Sequence, residues 1–139
     1  MKLGRLNHIG VATPSIADSI AHWRDTMGAT TIHDAFDMPT QGVRVCFVDT
    51  PNTQIELIEP LGADSPIHGF LAKNPLGGQH HVCFEVSDIH AAKAAFEALG
   101  KKVLGEPRIG AHGTLIFFVH PKDMGGMLTE IMEIPKDAH

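Results

Sequence analysis

The stretch QHHVCFEV at residues 79–86 places two histidines and a glutamate in an otherwise apolar run of strand character. Side chains alternate along a β-strand, so residues two apart share a face. His81, Cys83 and Glu85 fall on one face, and His80, Val82, Phe84 and Val86 on the other. The apolar set is the face that a covering helix needs. His81 is thus the candidate ligand, and His80 is not. Downstream, Ser87 or Asp88 caps a helix with Ile89, Ala92, Phe96 and Leu99 on one side, ended by Gly100. Strands follow at about 101–106, 114–120 and 127–134, separated by the loops RIGAHG and PKDMGG.

The first half of the chain follows the same plan. LNHIGVA at 6–12 reads as a strand, with His8, Gly10 and Ala12 on one face and Ile9 and Val11 on the other. Pro14 and Ser15 open a helix carrying Ile16, Ile20, Trp23 and Met27 on one side, closed by Gly28. Extended segments are expected near 29–36, at 43–49 (VRVCFVD) and at 53–59 (TQIELIE), with a Pro51-Asn52 turn between the last two. His8 precedes Gly28 by 20 residues and Glu56 by 48, while His81 precedes Gly100 by 19 and Glu130 by 49. These offsets describe an internal duplication of a βαβββ unit. Module one covers about 5–60, a connector about 61–78, and module two about 79–135, all within one domain spanning 1–139. In the connector, Asp64 or Ser65 caps a short helix bearing Ile67, Phe70 and Leu71, with Pro66 early in it.

The bulk properties fit one globular domain. A chain of 139 residues buries roughly two-thirds of its unfolded surface without needing a structural metal or disulfides. Its net charge of −5, with scattered Lys and Arg, gives no footprint for nucleic acid. The longest apolar run, LIFFV at 115–119, is too short to span a membrane. The N-terminal MKLGRLNHIG lacks the apolar region of a signal peptide, so the expected location is the cytoplasm. Cys46 and Cys83 each sit in a strand-like run and are expected to be buried, reduced thiols.

Ten histidines are the feature to explain. A lone strand histidine is ordinarily a hydrogen-bonded structural residue, and a lone strand glutamate a solvated one. Their recurrence at matching positions changes this, because two carboxylates buried together without a cation are costly. His8, Glu56 and His81 point away from the helix-covered side. Glu130 joins them if its strand repeats the fourth, which its own pattern does not decide. Two imidazoles and two carboxylates form a donor set for a divalent metal.

This plan resembles the vicinal oxygen chelate superfamily. The segments LNHIGVA, NTQIELIEPLGADSPIHGFLAKN, GGQHHVCFEV, IGAHG and HPKDMGGMLTEI are similar, across nearly the whole chain, to those of its methylmalonyl-CoA epimerase family. The resemblance implies an α+β fold of two tandem βαβββ modules forming an eight-stranded, cup-shaped mixed sheet with helices outside. It implies one divalent ion held by His8, Glu56, His81 and Glu130, with Co2+ foremost and Mn2+, Ni2+ or Zn2+ as alternatives. It also implies interconversion of the C2 epimers of methylmalonyl-CoA, an acyl-CoA thioester partner and a homodimer.

The chain departs from part of that family in two places. Some members carry a glutamate base in the third strand after the QGV motif; here Val45 stands at that position, after Gln41-Gly42-Val43. The same members have a glutamine where this chain has Glu56. A ligand glutamate that swings off the metal serves as a base in the proposed mechanism of the related lactoylglutathione lyase. The expectation is therefore Glu130 as acid/base on one face of C2 and Glu56 on the other, with a water ligand as the rival second group.

Lys73 and Lys122 are the candidate substrate-binding cations, and the helix start at 65–70 offers N–H donors to anions. Gly110, Gly113, Gly125 and Gly126 are read as turn residues. His22, His33, His90 and His139 need no function, while His112 and His120 stay open. Two other readings compete: a glyoxalase I-type lactoylglutathione lyase and a non-catalytic binding protein of the same fold. Retention of all four ligands argues against the second of these.

Overall fold

Ser15 accepts a hydrogen bond from the Asp18 N–H and starts the first helix, α1 (Ile16–Ala21), directly after strand β1 (Leu6–Ala12). The computed structural model describes residues 1–135; His139 and its neighbours lie outside the described residues. The chain continues through β2 (Phe36–Met38), β3 (Val43–Asp49), β4 (Gln54–Pro60), α2 (Ile67–Lys73) and β5 (Gly78–Val86). It ends with α3 (Ile89–Ala98), β6 (Val103–Ile109), β7 (Leu115–Val119) and β8 (Thr129–Glu133). This is the twice-repeated βαβββ order. The residues cluster into two units: His8–His80, and Met1–Asn7 together with His81 onward. The connector helix α2 thus belongs with the first half, and the first seven residues with the second.

In the unit spanning His8–His80 the strand order is β2-β3-β4-β1. β1 runs parallel to β4, and β4 antiparallel to β3. Ile16, Cys46, Val48, Ile55 and Leu57 form a buried cluster with Ile9, Val11, Ile20 and Trp23 against it. Each such side chain contributes about 1.5–3 kcal/mol when fully buried. The helix-facing set is the one that strand alternation predicts.

The other unit repeats the order as β5-β8-β7-β6. β5 is parallel to β8, and β8 antiparallel to β7. Val86, Ile89, Ala92, Phe96, Phe117, Val119 and Ile131 make its helix-side core. Asp88, not Ser87, caps α3 by accepting from the His90 and Ala91 N–H groups.

A second capping device recurs in both units. Glu59 Oε1 accepts from the Ile16 N–H at 2.8 Å, and Glu133 Oε1 from the Ile89 N–H at 3.3 Å. Each lies three residues after the strand-four glutamate. Odd spacing in a strand turns the two carboxylates to opposite faces, one of them toward the start of the helix.

Several boundaries differ from the sequence expectation. The extended segment near 29–36 is only a bridge between Ile32 and Val48 followed by β2 at Phe36–Met38, which Pro39 ends. α1 passes into a π-helical turn at His22–Thr26. The wider turn rotates Met27 off the buried side, and Met27 is exposed. Leu99 is likewise exposed, because the helix has already ended at Ala98. β6 begins two residues later than expected and runs on to Ile109. In the connector Ser65, not Asp64, meets the helix start: its hydroxyl accepts from the Ile67 N–H and donates to the Gly42 carbonyl.

Candidate active site

His8 and Glu56 are diagonal neighbours on one face of the β1–β4 pair. Gly10 lies opposite Glu56, and His8 is two residues before Gly10. Gly10 has no side chain to stand between them, and His8 Nε2 lies 3.8 Å from Glu56 Oε1. Both are buried, His8 completely. Phe47 pairs with Glu56 from the β3 side and sets its ring edge-on to His8, with centroids 6.4 Å apart.

The second unit builds the same arrangement. Cys83 lies opposite Glu130, and His81 is two residues before Cys83. His81 Nε2 is 3.2 Å from Glu130 Oε1, and both side chains are buried. Phe118 pairs with Glu130 and stands edge-on to His81 at 5.6 Å. The Arg108 guanidinium lies over the Phe118 ring, 5.6 Å from its centroid. The register of β8 thus puts Glu130 on the face of His81, the point that its own sequence left open.

His80 follows the alternation too. It packs edge-on against Phe70 of α2 at 5.3 Å. Val45 is buried and pairs with Ile58, on the face that also carries Phe47 and Glu56. The position aligned in sequence with the expected third-strand base thus carries an apolar side chain. Cys46 faces the helix-side core, where burial pushes its thiol up despite Arg44 nearby, and its Sγ–H donates to the His33 carbonyl. Cys83 is also a buried free thiol.

Lys73 is exposed in the last turn of α2, and Lys122 is exposed in a 3-10 turn at Pro121–Asp123. His120 accepts from the Lys122 N–H through Nδ1 at 3.0 Å, so it shapes that turn. His33 pairs with Asp49 at 3.0 Å, and His22 stacks edge-on to Trp23. The phenylalanines beside each histidine were not singled out from sequence. The signal was present, since each lies in the third strand of its module.

The donor set suits a divalent ion. Each unit presents one imidazole nitrogen and one carboxylate oxygen, side by side and withdrawn from solvent, and His8, Glu56, His81 and Glu130 are all candidate ligands.

Residues 7–118 match the family model described as the Glyoxalase/Bleomycin resistance protein/Dioxygenase superfamily. An ethylmalonyl-CoA/methylmalonyl-CoA epimerase of Cereibacter sphaeroides is 49% identical over 95% of this chain and 99% of its own. The chain belongs to that superfamily and, within it, to the methylmalonyl-CoA epimerase family. The mitochondrial methylmalonyl-CoA epimerase of Mus musculus is 48% identical over 94% of this chain and 73% of its own. Among solved structures, a single-residue variant of Streptomyces coelicolor methylmalonyl-CoA epimerase in complex with 2-nitronate-propionyl-CoA superposes with a TM-score of 0.86. It is 35% identical and covers 95% of this chain and 98% of that one. The fold is that of these proteins, with eight strands and three α-helices among the described residues in an α+β arrangement.

Proposed function

We propose that this chain interconverts the (R) and (S) epimers of methylmalonyl-CoA by removing the C2 proton and returning one from the opposite face. The observation that carries the reading is the buried His–Glu pair repeated in each half of a chain whose family members bear that name. Under this reading His8, Glu56, His81 and Glu130 together hold one divalent ion, Co2+ foremost.

The chemistry asks for two things. The C2 proton lies between a thioester carbonyl and a carboxylate, and its removal leaves an enolate. A divalent ion supplies Lewis acidity that stabilises this charge. Inversion further needs an acid/base group on each side of C2. Glu130 serves one side and Glu56 the other; Val45, an apolar side chain, serves neither. Phe47 and Phe118 keep water from the imidazoles beside them and hold the rings edge-on. Lys73 and Lys122 are assigned to the phosphates of the CoA moiety. The protein acts as a cytoplasmic homodimer in this reading.

The test is net conversion of one pure epimer by metal-reconstituted protein. The reading requires that both epimers reach the same equilibrium mixture. A mixture that stays at the starting epimer with folded, metal-loaded protein rules the reading out.

A further inference from the structure

Glu85 is a buried carboxylate to which the proposed reaction assigns no part. It is 3% exposed, and its Oε2 accepts from the Asn7 Nδ2–H at 2.9 Å. Asn7 is itself buried, at 7% exposure. Arg5 Nε lies 3.3 Å from the same oxygen, with most of its side chain in solvent. The backbones are joined as well, because the Glu85 N–H donates to the Arg5 carbonyl at 3.0 Å. Gly4 completes the clamp: a Cβ there would collide with the Glu85 carbonyl, so only glycine permits the approach.

The duplication marks this clamp as special to one half. If His81 repeats His8, then Asn7 corresponds to His80, and Glu85 to Ala12. The first module therefore has no equivalent buried amide–carboxylate pair at these positions. A buried carboxylate is retained at a desolvation cost only where its hydrogen bonds return something. What this one holds is the residue covalently next to His8. Its hydrogen bond from Asn7 holds the carboxylate to β1, and Arg5 adds a more exposed ion pair.

We infer that Glu85 is a positioning residue for the proposed metal ligand His8: through Asn7 it fixes the backbone from which the imidazole projects. This rests on the reading of His8 as a ligand. Fixing one residue on the opposite pleat restricts the strand's local twist, and metal donors tolerate only small errors in placement. Groups that orient ligands without touching the metal are worth about 10–100-fold in affinity.

The experiment is Co2+ titration of apo protein against a competing chelator, for wild type, Arg5→Ala, Asn7→Ala, Glu85→Ala and Glu85→Gln, with the apo melting temperature measured alongside. Co2+ affinity should fall about 10–100-fold in Asn7→Ala and Glu85→Ala. Glu85→Gln should recover most of it, since its amide oxygen still accepts from Asn7, and Arg5→Ala should stay near wild type. The visible spectrum of bound Co2+ should change in the two alanine variants. A lowered apo melting temperature with unchanged Co2+ affinity in Asn7→Ala would overturn the inference, leaving the clamp purely structural. Asn7→Ala and Glu85→Gln decide the matter if Glu85→Ala does not fold. If wild type takes up no Co2+, the metal reading itself falls and this inference with it; if wild type binds and the variants match it, only the inference falls.

Discussion

Glu130 lies directly across the parallel β5–β8 pair from Cys83, which brings its carboxylate within 3.2 Å of His81 Nε2. The corresponding diagonal in the other unit joins Glu56 to His8 across β1–β4. The two alternating faces of β5 separate His81 from His80. Under the proposed metal reading, His81→Ala should lose the divalent ion, and His80→Ala should keep about one per chain. Elemental analysis of the purified variants checks this, and equal loss in both would refute the face assignment.

The proposed division of labour between the carboxylates has a stereochemical signature. Glu56→Gln can still offer an amide oxygen to a metal but cannot carry a proton. Exchange at C2 should survive from one epimer, while net epimerisation falls by about 10²-fold or more. Glu130→Gln should show the opposite bias. Deuterium incorporation followed separately from each pure epimer, in metal-loaded variants, reads both. Wild-type epimerisation by Glu56→Gln would reduce Glu56 to a ligand.

Glu59 and Glu133 should matter to stability and not to proton transfer. Each accepts from the first N–H of its helix, where a negative charge also favours the helix dipole. Replacing either by alanine should cost about 0.5–2 kcal/mol, the scale of losing an N-terminal cap. The 2.8 Å bond of Glu59 should be the more costly of the two to lose. Urea denaturation of the single variants measures the effect, with metal content expected to stay at wild-type level.

The candidate site was legible in the sequence because the module occurs twice. One His–Glu pair on strands would be ambiguous; two at offsets of 48 and 49 residues are not. Strand alternation placed His81, Glu56 and the helix-side residues from a single stretch each. It could not place Glu130, because MLTEIMEI has apolar or buried residues on both faces, and only pairing with Cys83 decides its side. The segment near 29–36 was overread for a related reason: its bonds to β3, from the His33 N–H to the Phe47 carbonyl and from the Asp49 N–H to the Thr31 carbonyl, make only a single bridge at Ile32. Met27 and Leu99 fit a helical spacing that the π-helical turn and the end of α3 cut short. Asn7 and Glu85 are 78 residues apart and leave no local signal of their contact.

Asp49 gives a pH dependence. Burial alone would raise its carboxyl, but hydrogen bonds from Gln54 at 2.8 Å and from His33 outweigh that and hold it below the ordinary aspartate value. A depressed folded-state pKa stabilises above the unfolded value and loses that contribution as pH falls through the folded one. The pair is partly exposed, so the effect should stay under about 1 kcal/mol. Wild type should therefore melt slightly higher than Asp49→Asn near neutral pH. The gap should close below about pH 4, the ordinary range for aspartate. Melting curves of the two proteins between those conditions test it; a gap that persists undiminished in acid would contradict it.

The most direct measurement of the central claim is proton NMR of methylmalonyl-CoA in D2O with catalytic amounts of metal-reconstituted protein. The C2 proton signal should disappear and the methyl doublet collapse to a singlet, far faster than without protein, and removal of the metal by a chelator should abolish the effect. The methylglyoxal–glutathione hemithioacetal should be left unchanged under the same conditions. Turnover of that adduct by folded, metal-loaded protein, with no exchange at C2 of the thioester, would contradict the account.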